Sequence, residues 1–99
     1  MLNARQIRHL RALAHGLDPV VRVGQQGVTP AVLAELDAAL EAHELVKVKI
    51  SASDRRERQA RVEQLASGCG AEIIQTIGHT VTLFRTSARR PRSLLAADP

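Results

Sequence analysis

The residues with the most specific chemistry are Gly24-Gln25-Gln26-Gly27, set between a β-rich run ending at Val23 and a helix opening at Thr29-Pro30. Glycine permits positive φ and lets a bulky group come close to the main chain. The helix that follows offers unpaired N–H groups and the positive end of its dipole, which suit a phosphate. Loops of this form clamp nucleic-acid backbones. Pro30 removes one donor, so the loop amides and the Thr29 hydroxyl must supply the remainder. Arg22 precedes the loop and adds a charge, whereas Gln25 and Gln26 can donate only neutral hydrogen bonds. The same four residues would also serve as an ordinary strand-to-helix turn. Their surroundings decide between the two.

Those surroundings hold further cations. Arg8, Arg11 and His15 fall at i, i+3 and i+7, on one face of a helix. With Arg5, they either extend a phosphate track or simply solvate that face. Lys47 and Lys49 share the polar side of an alternating strand, and either contact nucleic acid across an open sheet face or meet water. Arg55, Arg56, Arg58 and Arg61 are interrupted by Glu57 and Glu63, a pattern that predicts ion pairs along the helix.

Catalytic chemistry has little support. His43-Glu44 stands at a helix-to-strand junction and reads as a hydrogen-bonded corner rather than an acid–base pair. His9, His15 and His79 show no zinc-like spacing with Cys69. Cys69, between Gly68 and Gly70, reads as a small buried residue rather than a nucleophile. No Gly-x-Ser-x-Gly, phosphate-loop lysine or carboxylate pair is present. The expectation is a protein that is not an enzyme and needs no metal or cofactor.

The elements that must position these residues are well signalled. Asn3 caps a first helix with Gln6 in a capping box, Leu2 and Ile7 form a staple, and Gly16 stops it. Its apolar stripe is Ile7, Leu10 and Ala14, reaching to Leu17. A strand covers Val20–Val23, and a second helix runs from Pro30 to about Ala42 on Val32, Leu36 and Leu40. Leu45–Ser51 alternates as a strand burying Val46, Val48 and Ile50. Ser53 or Asp54 caps a third helix, Glu57 boxes with Asp54, and Gly68 and Gly70 end it. Ala71–Ile77 and Thr80–Thr86 form a closing hairpin around Gly78-His79. The order α-β-α-β-α-β-β predicts a single α/β (α+β) domain over residues 1–87, with helices packed on a four-stranded mixed sheet. A basic, flexible tail is expected over 88–99, with Arg89, Arg90 and Arg92.

Composition narrows the function. A chain of 99 residues with 44% hydrophobic content can bury one core unaided. The net charge is +4, with four arginines against one acid in 1–29 and eight against four in 55–99, around an acidic middle. Phe84 is the only aromatic residue, which excludes a stacking platform for bases. A single cysteine forbids an internal disulfide and suits a reducing cytoplasm. The opening residues lack a signal-peptide core, and no run approaches the roughly 18 apolar residues of a membrane span. A cytoplasmic protein without a membrane partner is the expectation.

At this point a resemblance is legible. The stretch from Ala14 to Thr29 resembles the opening signature of the YhbY family, also called the CRM RNA-binding domain. His43–Ile50 is similar to its second signature, and Ile74–Gly78 with Leu83-Phe84-Arg85 to its third, so the likeness covers about residues 2–86. It implies a fold similar to the C-terminal domain of the third bacterial translation initiation factor. It also implies RNA binding: stand-alone bacterial members associate with precursors of the large ribosomal subunit, and plant organelle relatives assist group II intron splicing. A single short copy resembles the bacterial form. Family loops often carry a basic residue between the glycines, where this chain has Gln25 and Gln26. The expected site is therefore Arg22, Gly24, Gln25, Gln26, Gly27 and Thr29, flanked by Arg8, Arg11, His15, Lys47 and Lys49, on the rRNA of large-subunit precursors. Two other functions stay open, an adaptor docking on a ribosomal protein and an RNA splicing cofactor.

Overall fold

The computed structural model describes residues 2–89 and 93–97. Along the chain run α1 (Ala4–Ala14), β1 (Val21–Val23), α2 (Pro30–His43), β2 (Leu45–Ile50), α3 (Arg55–Cys69), β3 (Glu72–Ile77), β4 (Thr80–Phe84) and a 3-10 turn (Leu94–Ala97). The sheet order is β1-β2-β4-β3, with β1 parallel to β2 and the other neighbours antiparallel. The expected order and the four-stranded mixed sheet are both present.

Alternation in β2 sorts the chain into layers, because successive side chains of a strand point to opposite faces. Val46, Val48 and Ile50 join Leu36 and Leu40 of α2 and Val62 and Leu65 of α3 in the main core. Leu45 points the other way, into a smaller cluster with Leu10 and Ala14 of α1, Ile74 and Phe84. At roughly 1.5–3 kcal/mol for each large apolar side chain buried, the main core dominates stability. A bulge between Ile73 and Gln75 lets Ile74 enter the smaller cluster while Gln75 still pairs with Thr82. Since Leu45, Phe84 and Ile74 lie at one end of the sheet, α1 covers only that end. The other end of the same face carries Arg22, Lys47, Lys49 and Thr80, with no helix above it among the described residues.

The predicted ends hold with instructive differences. The Asn3–Gln6 capping box forms, with bonds of 2.8 and 2.9 Å. Asp54 caps α3, yet the Glu57 carboxylate accepts from the Ser53 N–H and hydroxyl instead of closing a box with Asp54. Gly68 does not stop α3, which runs to Cys69 and ends at Gly70 with φ 62°. A Cβ at Gly68 would stand 2.8 Å from Leu33 Cδ2, so this glycine lets α3 press against α2. Because α1 ends at Ala14, Leu17 lies off its stripe and is exposed. β1 begins at Val21 and leaves Val20 exposed. β4 stops at Phe84 because Arg85 turns away to α2, donating to Asp37 at 2.7 Å, Glu41 at 3.0 Å and the Cys69 carbonyl at 2.8 Å.

Glu44 ties the two layers together. It closes α2 at φ 64°, a conformation that costs a residue with a Cβ on the order of 1–3 kcal/mol. Its side chain is fully buried, and a buried carboxylate persists only if hydrogen-bonded. It accepts from the Ser87 N–H at 2.6 Å, the Ser93 hydroxyl at 3.0 Å and the Leu94 N–H at 2.7 Å. Of the tail expected over 88–99, residues 90–92, 98 and 99 lie outside the described residues. Leu94 and Leu95 pack against the α1-side cluster. Replacing Glu44 with alanine strands these donors, and we expect a loss of roughly 2–4 kcal/mol. Thermal unfolding measures it: a Tm within a few degrees of wild type would show that Glu44 is not the anchor.

Candidate nucleic-acid interface

The Gly24–Gly27 segment is a tight turn closed by the Gly27 N–H donating to the Gly24 carbonyl at 3.0 Å. Its two glycines differ in kind. Gly27 is buried with φ 81°, which a side chain tolerates poorly. Gly24 has no such φ, and a Cβ there would meet nothing within 4 Å. The fold thus requires Gly27, while the bare surface at Gly24 is free for a ligand to approach.

The turn is braced from α3 by Arg61. Its guanidinium donates to the Gly24 carbonyl at 3.3 Å, to the Gln25 carbonyl at 3.2 Å and to the Ser51 carbonyl, and pairs with Glu57 at 3.2 Å. In a trans peptide the N–H points opposite to the C=O. With the Gly24 and Gln25 carbonyls turned toward Arg61, the Gln25 and Gln26 N–H groups turn toward solvent, where no described residue accepts from them. Outward amides of this kind form an anion-binding concavity. The expectation that the α3 arginines pair along their own helix is met only by Arg61 and Glu57. Arg58 instead meets His79 Nδ1 at 3.3 Å, and Glu63 takes Gln59. No sequence signal linked Arg61 to a loop so distant in the chain.

Thr29 sits at the α2 cap, its oxygen accepting from the Val32 N–H at 3.2 Å, so its hydroxyl hydrogen remains to donate. Arg22 lies beside Lys49 in the β1–β2 pairing, with Lys47 two residues along the same face. Neighbouring strands are about 4.8 Å apart and alternate residues about 7 Å, so these three cations form a close row. None makes an ion pair with a described residue. Like charges side by side are destabilising, and an anion relieves that cost. Gly24 follows Arg22 by two residues, so loop and row meet at the end of β1.

The α1 cations are placed elsewhere. Arg11 Nε donates to the Ile74 carbonyl at 3.4 Å, on the β3 edge, across the sheet from β1. Arg8 and His15 are exposed on the same helix and its cap. The structure therefore joins Arg22, Lys47, Lys49 and the loop, and leaves Arg11 at the far edge. Cys69 is buried, donates to the Leu33 carbonyl at 3.6 Å, and has its thiol pKa pushed up by burial and by Asp37, against the pull of Arg85. That is the environment of an inert thiol.

Removing the Arg61 brace should free the turn without unfolding the domain. For Arg61→Met we expect exchange of the Gly27 amide to quicken by about tenfold, with β2 amides following global stability alone. Unchanged Gly27 exchange would show that the turn holds itself. Gly27→Ala should cost about 1–2 kcal/mol in unfolding experiments and Gly24→Ala less than about 0.5 kcal/mol.

Comparison with known proteins identifies the domain. Residues 2–85 match the CRS1 / YhbY (CRM) domain. An RNA-binding protein of Haemophilus influenzae is 43% identical over 86 residues, covering 87% of each chain. The Bacillus subtilis relative named "probable RNA-binding protein YqeI" is 37% identical over 87 residues, 88% of this chain and 91% of its own. A solution structure from Staphylococcus aureus, described as a candidate RNA-binding protein, superposes with a TM-score of 0.79 at 29% identity, over 93% of this chain and 95% of that one. With a match over most of its length and relatives well above 30% identity, this chain belongs to the CRS1 / YhbY (CRM) domain family.

Proposed function

We propose that this protein binds RNA by capturing its backbone at the Gly24–Gly27 turn and along the Arg22–Lys49–Lys47 row. The observation that carries the reading is the junction of outward loop amides with a row of cations that have no ion-pair partner among the described residues. Each part suits a phosphate, and together they suit two or more in succession. Thr29 contributes a hydroxyl donor at the same end. Arg11, at the β3 edge, with Arg8 and His15 exposed on α1 and its cap, serves as a basic flank. The relatives are named for RNA binding, which supports the same reading.

The resemblance to stand-alone bacterial members points further, to precursor rRNA of the large ribosomal subunit as the RNA, met in the cytoplasm. Nothing in the described site asks for catalysis. Glu44 is engaged as a structural acceptor, and Cys69 is buried. One observation favours a second reading, a protein adaptor. A hollow of about 500 Å³ opens between the α1 C-terminus and the α2–β2 corner, lined by Leu13, Leu17, Val20 and Leu94. Association with ribosomal particles that survives RNase treatment would favour that adaptor.

Binding to large-subunit rRNA fragments across a salt series separates the two. Gly24→Asp should lower affinity at least about tenfold, as a carboxylate enters an anion site, and Arg22→Ala should flatten the log–log salt slope by about 0.7. Equal binding by wild type and both variants would reduce the loop to a turn.

A further inference from the structure

The uncovered face of the sheet holds a second feature beside the cation row, a hollow of about 320 Å³. Its floor is Thr80 and Thr82 of β4 with Gln75 and Ile77 of β3. Lys47 bounds it, and the linker between α1 and β1 lines it through Leu17, Asp18 and Pro19. The volume is at the small end of ligand sites, which run from roughly 300 to 1,000 Å³. One flat ring fits such a space better than a helix or an extended peptide.

Its polar lining is open to solvent. The Gln75 amide, the Thr80 and Thr82 hydroxyls, the Asp18 carboxylate and the Lys47 ammonium make no hydrogen bond or ion pair with the described residues. Thr82 is the most telling of them. It is only 3% exposed, in the middle of a strand, and it lines the hollow. Its hydroxyl is not sealed off in the protein and opens to the hollow, where a ligand can meet it. Apolar groups flank this polar floor: Ile77 is 63% exposed and Leu17 39% exposed, with Pro19 beside them. Apolar walls around a hydrogen-bonding floor match a planar heterocycle, whose faces are apolar and whose edge carries donors and acceptors.

We propose that this hollow receives one unstacked nucleobase of the RNA strand whose phosphates lie on Arg22, Lys49 and Lys47. The inference rests on the RNA-binding reading above and adds to it a contact with a base. Lys47 belongs to both the row and the hollow, so a strand tracking the row places a base over Gln75 and Thr82. The Gln75 amide offers a donor and an acceptor side by side, which meets a base edge bidentately. Asp18 accepts only, so it selects for a base with an N–H at the matching position. Phe84, the only aromatic residue, is buried at 2% exposure and cannot stack on a base, so base contact falls to this hollow.

The test uses the full chain with fluorescent octamers of uridine, cytidine and adenosine, and an abasic ribose-phosphate octamer of equal charge. We expect one of the three to bind at least about fivefold more tightly than the abasic strand, with every salt slope the same because the charge is the same. Gln75→Ala and Thr82→Val should each bring that preference within about twofold, again without altering the slope. Amide resonances of Gln75 and Thr82 should shift with the preferred octamer and not with the abasic one; should Thr82→Val fail to fold, Gln75→Ala and these shifts decide. Equal binding of all four strands, with an Arg22-dependent slope intact, overturns the base site and leaves backbone capture standing. Shifts at Gln75 and Thr82 produced by a ribosomal protein and not by RNA also overturn it. Failure of wild type to bind any strand overturns the base site, and failure on the rRNA fragments as well removes the RNA reading itself.

Discussion

The structure depends on one constraint, the burial of β2 between two strands and two layers of helix. A strand with period-two alternation must send Val46, Val48 and Ile50 to one side and Leu45, Lys47 and Lys49 to the other. The first side is covered completely by α2 and α3. The second cannot be, because burying two unpaired ammonium groups would cost far more than the contacts returned. α1 therefore packs over Leu45, Phe84 and Ile74 and stops short of the lysines. The open half of the sheet is a consequence of where the lysines fall in a central strand.

Charge in this domain is divided between bracing and display. Arg85 spans the end of β4, the side of α2 and the last turn of α3, and its hydrogen bond to Asp37 raises its already high pKa. Arg61 holds three carbonyls and one carboxylate. A guanidinium can do this because its five donors lie in a rigid plane. Glu44 is the counterpart acceptor, collecting main-chain and hydroxyl donors from the chain that follows β4. With these groups spent on the fold, Arg22, Lys47 and Lys49 are left to face solvent without ion-pair partners among the described residues. Lysines suit that role, being compact charges on flexible stems.

The brace gives a loop of glutamines a fixed shape, and with it a part in the proposed site, without a charge of its own. Its contribution is geometric: Arg61 turns the carbonyls inward and so turns the amides out. The positive charge is supplied from the adjacent strands. Backbone donors and side-chain charges are thus contributed by separate elements that meet at the end of β1.

Much was legible in the sequence because it is local. The Asn3 box, the Thr29-Pro30 start of α2, the alternation of β2 and the turn at Gly24–Gly27 each depend on residues a few positions apart. Their order was enough to expect the layers and, through resemblance, the family. What failed were boundaries settled by distant partners: Gly68 read as a helix stop because Leu33 is invisible from its neighbourhood, and β4 was drawn too long because Arg85 binds α2. Strand pairing is likewise a property of the whole chain. It set Arg22 beside Lys49, left Arg11 on the opposite edge, and gathered Gln75, Thr82 and Lys47 around one hollow. The sequence alone determined which segments are helix, strand and loop, since those follow from period and caps. Only the tertiary structure decided which charges stand together, since that follows from register across strands far apart in the chain.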